Sequence, residues 1–88
     1  MRNRDRMDII SRILEAVNGR SGSGGATRTR IMYDAFLSHD QLKEYLSNLA
    51  DNELVHHDSS SDKFKITEKG LMFIRTYAEI DEMMKVPK

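Results

Sequence analysis

The chain has 88 residues, no cysteine, no tryptophan and a formal net charge of zero, with 14 basic and 14 acidic side chains. This length holds one small core, so we expect a single domain over residues 1–88 and exclude an enzyme with separate cofactor and substrate lobes. The absence of cysteine excludes disulfides and thiolate zinc sites. No apolar run approaches the roughly 20 residues that span a bilayer, so we expect a cytoplasmic protein without a membrane partner.

The zero net charge is the sum of three unlike segments. Residues 1–30 carry a net charge of +4, residues 31–62 carry −6, and residues 63–88 carry +2. Charge that is segregated in this way can produce a basic face on a neutral molecule, although an unpatterned solvated surface is the alternative. The neutral sum is therefore a weak argument against nucleic-acid binding, and the acidic middle segment is a stronger one.

The first predicted helix lies near the N-terminus. It follows a cap at Asn3 and ends at Asn18-Gly19, because such a pair accepts the left-handed conformation of a helix end. Its apolar residues at helical spacing are Ile9, Ile10, Ile13, Leu14 and Val17. Residues 19–26 are rich in glycine and serine and predict a flexible loop.

The second and third predicted helices are short and closely spaced. Thr27 is the N-cap of the second helix, whose apolar face comprises Ile31, Met32, Ala35 and Phe36. Ser38 and Gln41 form a capping-box pattern at the start of the third helix, which closes at Asp51-Asn52. The buried face of the third helix comprises Leu42, Tyr45, Leu46 and Leu49.

A hairpin and a long helix complete the chain. Extended runs over 53–58 and 63–67 flank a polar turn, which predicts a β-hairpin. Thr67 is the N-cap of a last helix that runs from about Glu68 to Met84. We assign residues 66–84 as the C-terminal helical segment, and Pro87 prevents the helix from continuing. The predicted fold class is mainly α with a small β-hairpin, a winged helix-turn-helix of three helices, a two-stranded wing and a C-terminal helix.

Four short motifs occur in a fixed order along this chain. Thr-Arg-Ile-Met-Tyr stands at 29–33, Leu-Ser at 37–38, Gln-Leu-Lys-x-Tyr-Leu at 41–46 and Thr-Glu-Lys-Gly at 67–70. Over residues 5–80 this order resembles the small archaeal winged-helix DNA-binding proteins. The sequence departs from their pattern at His39, where the family often has tyrosine, and in its longer loop at 19–25.

The resemblance implies a protein that binds double-stranded DNA, usually as a homodimer formed through the C-terminal helix. It further implies a transcription regulator or a chromatin-associated protein, located in the cytoplasm on the nucleoid. Base preference does not carry over, because both departures lie near the expected DNA surface.

Candidate DNA contacts lie on three predicted elements. The N-terminus of the second helix attracts phosphate. The N-terminal half of the third helix enters the major groove, where Gln pairs with adenine and Lys with guanine. In the second wing strand, lysines alternate with Phe64 and Ile66 and face away from the core. The candidate contacts are Arg28, Thr29, Arg30, Ser38, His39, Gln41, Lys43, Lys63 and Lys65.

The last helix carries two apolar stripes. The first, suited to the core, comprises Leu71, Ile74 and Ala78, and the second, at the 4-3-4 spacing of a coiled-coil seam, comprises Phe73, Tyr77, Ile80 and Met84. One core needs one stripe, so the second predicts a homodimer that presents two recognition helices to successive major grooves. The alternative is a helix embedded deeply in its own core.

Metal, cofactor and catalytic sites are not indicated by the sequence. His56 and His57 are neighbours in a predicted strand and face opposite sides, so they do not chelate one ion together. The glycines of 19–25 lack the Gly-Lys-Ser/Thr ending of a phosphate-binding loop, and no strand precedes them. We therefore expect no metal, no cofactor and no enzyme activity.

The main hypothesis is a homodimeric winged-helix protein that binds double-stranded DNA. The alternative is a winged helix that serves as a protein–protein interaction module in a transcription complex, with other transcription proteins as partners. Asp40 and Glu44 on the third helix favour this alternative, because carboxylates near DNA phosphates are repelled. An N-terminal basic arm of Arg2, Arg4 and Arg6 either lies along the duplex or is a solubilising end.

Overall fold

The computed structural model describes residues 6–19 and 25–84 and confirms the predicted mainly helical winged helix-turn-helix. The elements are α1 (Arg6–Asn18), α2 (Arg28–Ala35), α3 (His39–Asp51), β1 (Val55–Asp58), β2 (Lys63–Ile66) and α4 (Glu68–Met84). The two strands form an antiparallel hairpin, the wing, in which His57 lies opposite Phe64. The predicted cap at Asn3 lies outside the described residues. Within the two described ranges, no helix is both long and apolar enough to cross a bilayer.

One apolar core joins the helices to the wing. Each of α1, α2 and α3 contributes most of the face that its helical spacing predicts, and full burial of a Leu, Ile or Phe side chain contributes about 1.5–3 kcal/mol. The core fixes α3 against the base of the wing and so sets the surface between them. Its buried members are Ile13, Leu14, Ala16, Val17, Ala26, Ile31, Ala35, Leu42, Leu46, Leu49, Val55 and Phe64.

The predicted helix caps of α2, α3 and α4 are confirmed. Thr27 Oγ1 accepts from the backbone N–H of Arg30 at 3.2 Å. At the start of α3 the capping box is complete, since Ser38 Oγ accepts from the Gln41 N–H and Gln41 Oε1 accepts from the Ser38 N–H. Thr67 Oγ1 accepts from the Gly70 N–H at 3.0 Å and begins α4. Side-chain oxygens therefore satisfy amide groups that a helix start leaves unpaired.

The predicted end of the second helix and the predicted start of the first strand are wrong. In each place the preceding helix is followed by a residue in the left-handed conformation, which ends it. Phe36 was expected on the apolar face of the second helix, but it takes φ 58° after Ala35 and is 73% exposed. Glu53, expected at the start of a strand, takes φ 62° and its N–H donates to the Ala50 carbonyl. In both places the next N–H bonds back across the last helical turn, which is the Schellman arrangement. β1 therefore begins only at Val55.

The predicted flexible loop over 19–26 is wrong at its C-terminal end. The N–H of Ala26 donates to the Phe64 carbonyl at 2.9 Å, and the Phe64 N–H donates to the Ala26 carbonyl at 2.8 Å. Gly25 precedes this bridge with φ 81° and lies against the backbone of Phe64, where a Cβ has no room. A pairing of one residue has no hydrophobic period, so the sequence pattern did not reveal it.

The two predicted stripes of α4 are not divided between core and surface as expected. Of the expected core stripe, Ile74 packs on the core, whereas Leu71 and Ala78 are exposed. Of the expected dimer seam, Phe73 packs on the core and Tyr77 is half-buried, its hydroxyl donating to Asp8 Oδ1 at 3.5 Å. The remaining two seam residues, Ile80 and Met84, are exposed.

Gly70 allows the first turn of α4 to approach the chain before β1. A Cβ at this position would overlap the Leu54 carbonyl oxygen and lie 2.7 Å from the Ile66 side chain. We expect Gly70→Ala to lower the free energy of unfolding by about 1–3 kcal/mol, as overpacking does, even though alanine favours a helix. Urea denaturation followed by circular dichroism measures the change.

Thr76→Ala is the matched control for this prediction, because Thr76 is exposed on the same helix. Its effect is expected to stay within about 0.5 kcal/mol. If Gly70→Ala is as stable as Thr76→Ala, α4 is not packed against Leu54 as described.

Candidate nucleic-acid interface

The solvent side of α3 presents three kinds of surface. Lys43 and Ser47 face the wing, because both line a groove together with one residue from each wing strand. Asn48 lies on the other flank, near Arg6, whose guanidinium is 5.9 Å from the ring centroid of Tyr45. Three acidic side chains are exposed along the same helix, at Asp40, Glu44 and Asp51.

An open groove of about 250 Å³ separates α3 from the wing. Among the described residues, its lining contains two cations, Arg28 and Lys43, and no carboxylate. The floor is apolar because it consists of the outer edges of core residues and of Ala50. The described residues that line it are Arg28, Lys43, Leu46, Ser47, Ala50, His57 and Phe64. We call it the wing groove.

Arg28 and His57 both contact the ring of Phe64 in the wing groove. The Cζ atom of Arg28 lies 5.3 Å from the ring centroid, within the range of a cation–π contact. The His57 ring lies 4.6 Å from the same centroid, and its Nε2 is 2.9 Å from Asp62 Oδ1. Three elements therefore meet at one ring, since Arg28 begins α2, His57 belongs to β1 and Phe64 to β2.

Asp58 organises the turn at the tip of the wing. Its carboxylate accepts from the Ser60 hydroxyl at 2.8 Å, the Ser60 N–H at 3.2 Å and the Ser61 hydroxyl at 3.1 Å. These hydrogen bonds, those from Ser60 first, hold the pKa of Asp58 well below its usual range. Lys65 Nζ lies 3.4 Å from Asp58 Oδ2, so this predicted DNA contact is paired with a carboxylate. Lys63, opposite Asp58, is half-buried.

The other predicted DNA contacts are divided between structural roles and open surface. Ser38 and Gln41 form the capping box, which occupies Gln41 Oε1 and leaves its amide NH₂ available. Arg30 lies 3.5 Å from Asp34, on the other side of α2 from Arg28. Thr29 is exposed in the first turn of α2, and His39 Nδ1 lies 3.7 Å from Asp40. The structure thus brings Arg28 and Lys43 together and directs Arg30 elsewhere.

Sequence reasoning missed two residues near α3. His57 was considered only as a metal ligand, although it lines the wing groove. Arg6 was grouped with Arg2 and Arg4 in an arm, although it lies beside Tyr45 on α3. No spacing in the sequence indicates either position, because both depend on contacts between distant elements. Among the described residues, no group of three or more His or acidic side chains is placed to hold a metal ion.

Comparison with known families agrees with this architecture. The winged helix-turn-helix family matches residues 3–85, nearly the whole chain. The chain therefore belongs to the winged helix-turn-helix family, whose domains generally bind DNA and typically are not enzymes. No curated protein matches the chain significantly.

The Asp58 carboxylate is expected to stabilise the wing turn only while it is ionised. Because its pKa in the folded protein is lowered from 3.8, its contribution is complete above that value and is lost as the pH falls towards the lower pKa. We therefore expect the free energy of unfolding to decline below a pH of about 4, and to decline less in Asp58→Asn. Urea denaturation across the acid range measures both profiles.

The neighbouring serines provide a matched pair for this test. Ser60→Ala removes the hydroxyl that donates to Asp58 and lowers its pKa. The free energy of unfolding of this variant should therefore also decline less as the pH falls. Ser59→Ala alters an exposed serine in the same turn and should keep the wild-type profile. Identical profiles for all the proteins would show that Asp58 does not stabilise the turn.

Proposed function

We propose that this protein binds double-stranded DNA as a homodimer and acts as a transcription regulator or a chromatin-associated protein on the nucleoid. The observation that carries the proposal is the pair of cations, Arg28 and Lys43, in the wing groove beside α3. The family supports DNA as the ligand class.

The electrostatics of the wing groove favour a DNA phosphate. Arg28 stands in the first turn of α2, where the helix dipole and free amide groups attract anions. Lys43 approaches from α3, and the groove lining adds no carboxylate to oppose the two cations. A duplex whose major groove receives α3 would place its backbone along the wing.

The remaining candidate contacts belong to the same proposed surface. Thr29, Ser38 and His39 are exposed at the starts of α2 and α3, where they can donate to phosphates. Gln41 retains its NH₂ group as a donor, whereas Lys63 and Lys65 lie along β2. Arg30 would need to exchange Asp34 for a phosphate, which is feasible for an exposed ion pair that contributes about 0–1 kcal/mol.

A second candidate function is protein docking through the acidic side of α3. The Asp40 side chain is fully exposed, and Glu44 and Asp51 are exposed further along the helix. Such a surface would suit a basic partner in a transcription complex, because opposite potentials attract across an interface. The two functions predict opposite effects of neutralising Glu44.

We expect a labelled duplex of two to three helical turns to bind more weakly as the salt concentration rises. The slope of log K against log [salt] is about 0.9 per neutralised phosphate. The double variant Arg28→Ala plus Lys43→Ala should lower the magnitude of this slope by the equivalent of about two phosphate contacts. Fluorescence anisotropy over a salt series measures it.

Arg12→Ala plus Arg75→Ala is the control, because it removes the same charge from α1 and α4 and should leave the slope unchanged. Glu44→Gln separates the two functions, since it should strengthen DNA binding but weaken a basic protein partner. Absence of DNA binding at low salt, or binding that is insensitive to salt, would reject the DNA proposal.

The exposed apolar residues of α4 support the homodimer. Met72, Ile80 and Met83 share one face at i, i+8 and i+11, and Met84 adjoins it. Each of these four side chains is more than half exposed in the single chain. We place the interface at Ile80 and Met84. Phe73 and Tyr77 belong to the same predicted seam, but Phe73 also packs on the core of its own chain and the Tyr77 hydroxyl donates to Asp8.

A second copy is the partner that DNA geometry favours. Two-fold dimers are the commonest small assemblies, and they carry two recognition helices that reach successive major grooves one helical turn apart. Pairing of the two α4 helices would bury the methionine-rich face and leave both wing grooves open.

We expect light scattering to give twice the chain mass of 10.2 kDa for the wild type, and the monomer mass for Ile80→Glu. A buried carboxylate at an apolar seam is costly. Ala78→Glu is the control, because it adds the same charge on the opposite side of the same helix and should stay dimeric. A wild-type monomer at tens of micromolar concentration would reject this dimer.

A further inference from the structure

We propose that Phe64 is a positioning residue for DNA binding. In this proposal its ring holds the guanidinium of Arg28 in the groove that Lys43 also lines, so that both cations contact the DNA backbone between α3 and the wing. The inference rests on the proposed DNA binding and deepens it. It assigns a role to a residue that the sequence placed only in the core.

The backbone fixes Phe64 from both sides. On one side β1 pairs with β2 and places His57 opposite Phe64. On the other side Ala26 exchanges two hydrogen bonds with Phe64, at 2.9 and 2.8 Å. Arg28 follows Ala26 by only two residues, so the same pairing that anchors the ring also anchors the start of α2.

The side chains extend this constraint to the ring itself. Phe64 is only 4% exposed, which leaves its ring little freedom to turn away. His57 lies against the ring and is held at Nε2 by Asp62 Oδ1, at 2.9 Å. Asp62 in turn stands at the end of the wing turn with φ 56°. The ring therefore offers Arg28 a fixed surface.

Arg28 and Lys43 are available to an anion in this arrangement. Among the described residues, neither has a carboxylate within ion-pair distance, whereas Arg12, Arg30 and Lys65 each do. Other described lysines and arginines also lack such a partner, but they do not line the wing groove. A guanidinium that lies over an aromatic ring keeps its in-plane N–H groups free for a phosphate. The ring thus fixes the direction of Arg28 without occupying its donors.

This geometry places the DNA contact of the wing on the face of β2 that carries Phe64 and not on the opposite face. On that opposite face, Lys65 is paired with Asp58, and Asp58 is bound by the hydroxyls of Ser60 and Ser61. On the Phe64 face, Arg28 and Lys43 line the same groove beside α3.

A double-mutant cycle on DNA binding tests the proposal. Wild type, Phe64→Leu, Arg28→Ala and the double variant are titrated with one labelled duplex over a salt series. We expect Phe64→Leu to weaken binding about fivefold, the equivalent of one cation–π contact. The magnitude of its slope of log K against log [salt] should fall by the equivalent of nearly one phosphate contact, although no charge is lost. In the Arg28→Ala background, Phe64→Leu should add almost nothing.

Two further variants keep the test specific. Phe64→Tyr retains the ring and should preserve the wild-type salt slope. Arg30→Ala removes an equal charge two residues further along α2. Because Arg30 lies outside the wing groove, this variant should lower the DNA affinity less than Arg28→Ala does. If Phe64→Leu does not fold, as judged by circular dichroism, Arg28→Lys replaces it in the test, because it keeps the charge and loses the planar contact.

The outcomes separate this inference from the proposed function. If the wild type binds DNA but the effects of Phe64→Leu and Arg28→Ala are additive, the positioning role is wrong and DNA binding stands. An unchanged salt slope in Phe64→Leu, or equal losses in Arg28→Ala and Arg30→Ala, likewise rejects the positioning role. If the wild type does not bind DNA at low salt, the proposed function itself fails.

Discussion

The two hydrogen bonds between Ala26 and Phe64 join the start of α2 to the wing, and the geometry of the wing groove depends on them. Because β2 also pairs with β1, Phe64 is held on both edges. Arg28 begins α2 just beyond this bridge, and Lys43 reaches the same groove from α3, which packs on the same core. Without the bridge, Arg28 and the ring of Phe64 would be linked only through their side-chain contact.

Ion pairing cancels part of the positive charge of this neutral molecule outside the wing groove. Arg12, Arg30 and Lys65 lie near Asp8, Asp34 and Asp58 respectively, and each such exposed pair contributes only about 0–1 kcal/mol to stability. Their larger effect is on the surface potential, because they cancel charge outside the wing groove. The groove keeps two cations without a neighbouring carboxylate in its lining. The acidic side of α3 remains the feature that opposes DNA most directly, since its carboxylates are exposed beside the same helix.

The site could be predicted only in part, and the reasons differ from residue to residue. Arg28 and Lys43 were predicted as contacts from helix starts and exposed helix positions, which follow from local spacing, and both line the wing groove. Gln41 fitted two roles, a cap and a base contact, and the structure engages its Oε1 in the cap. The two stripes of α4 were also recognised, but spacing alone does not say which stripe meets the core. That choice depends on the angle at which α4 crosses α1, and it places Phe73 inward.

The sequence by itself determined the order of the elements, the capped starts of α2, α3 and α4, and most of the core faces of α1, α2 and α3. These features depend on interactions within a few residues, such as the hydrogen bonds between Ser38 and Gln41. Only the tertiary structure decided the left-handed ends at Phe36 and Glu53, the bridge at Ala26 and the stack of Arg28 on Phe64. Each of these requires a backbone or side-chain partner from another turn or another element. Their energies are set by packing that no local pattern of residues encodes.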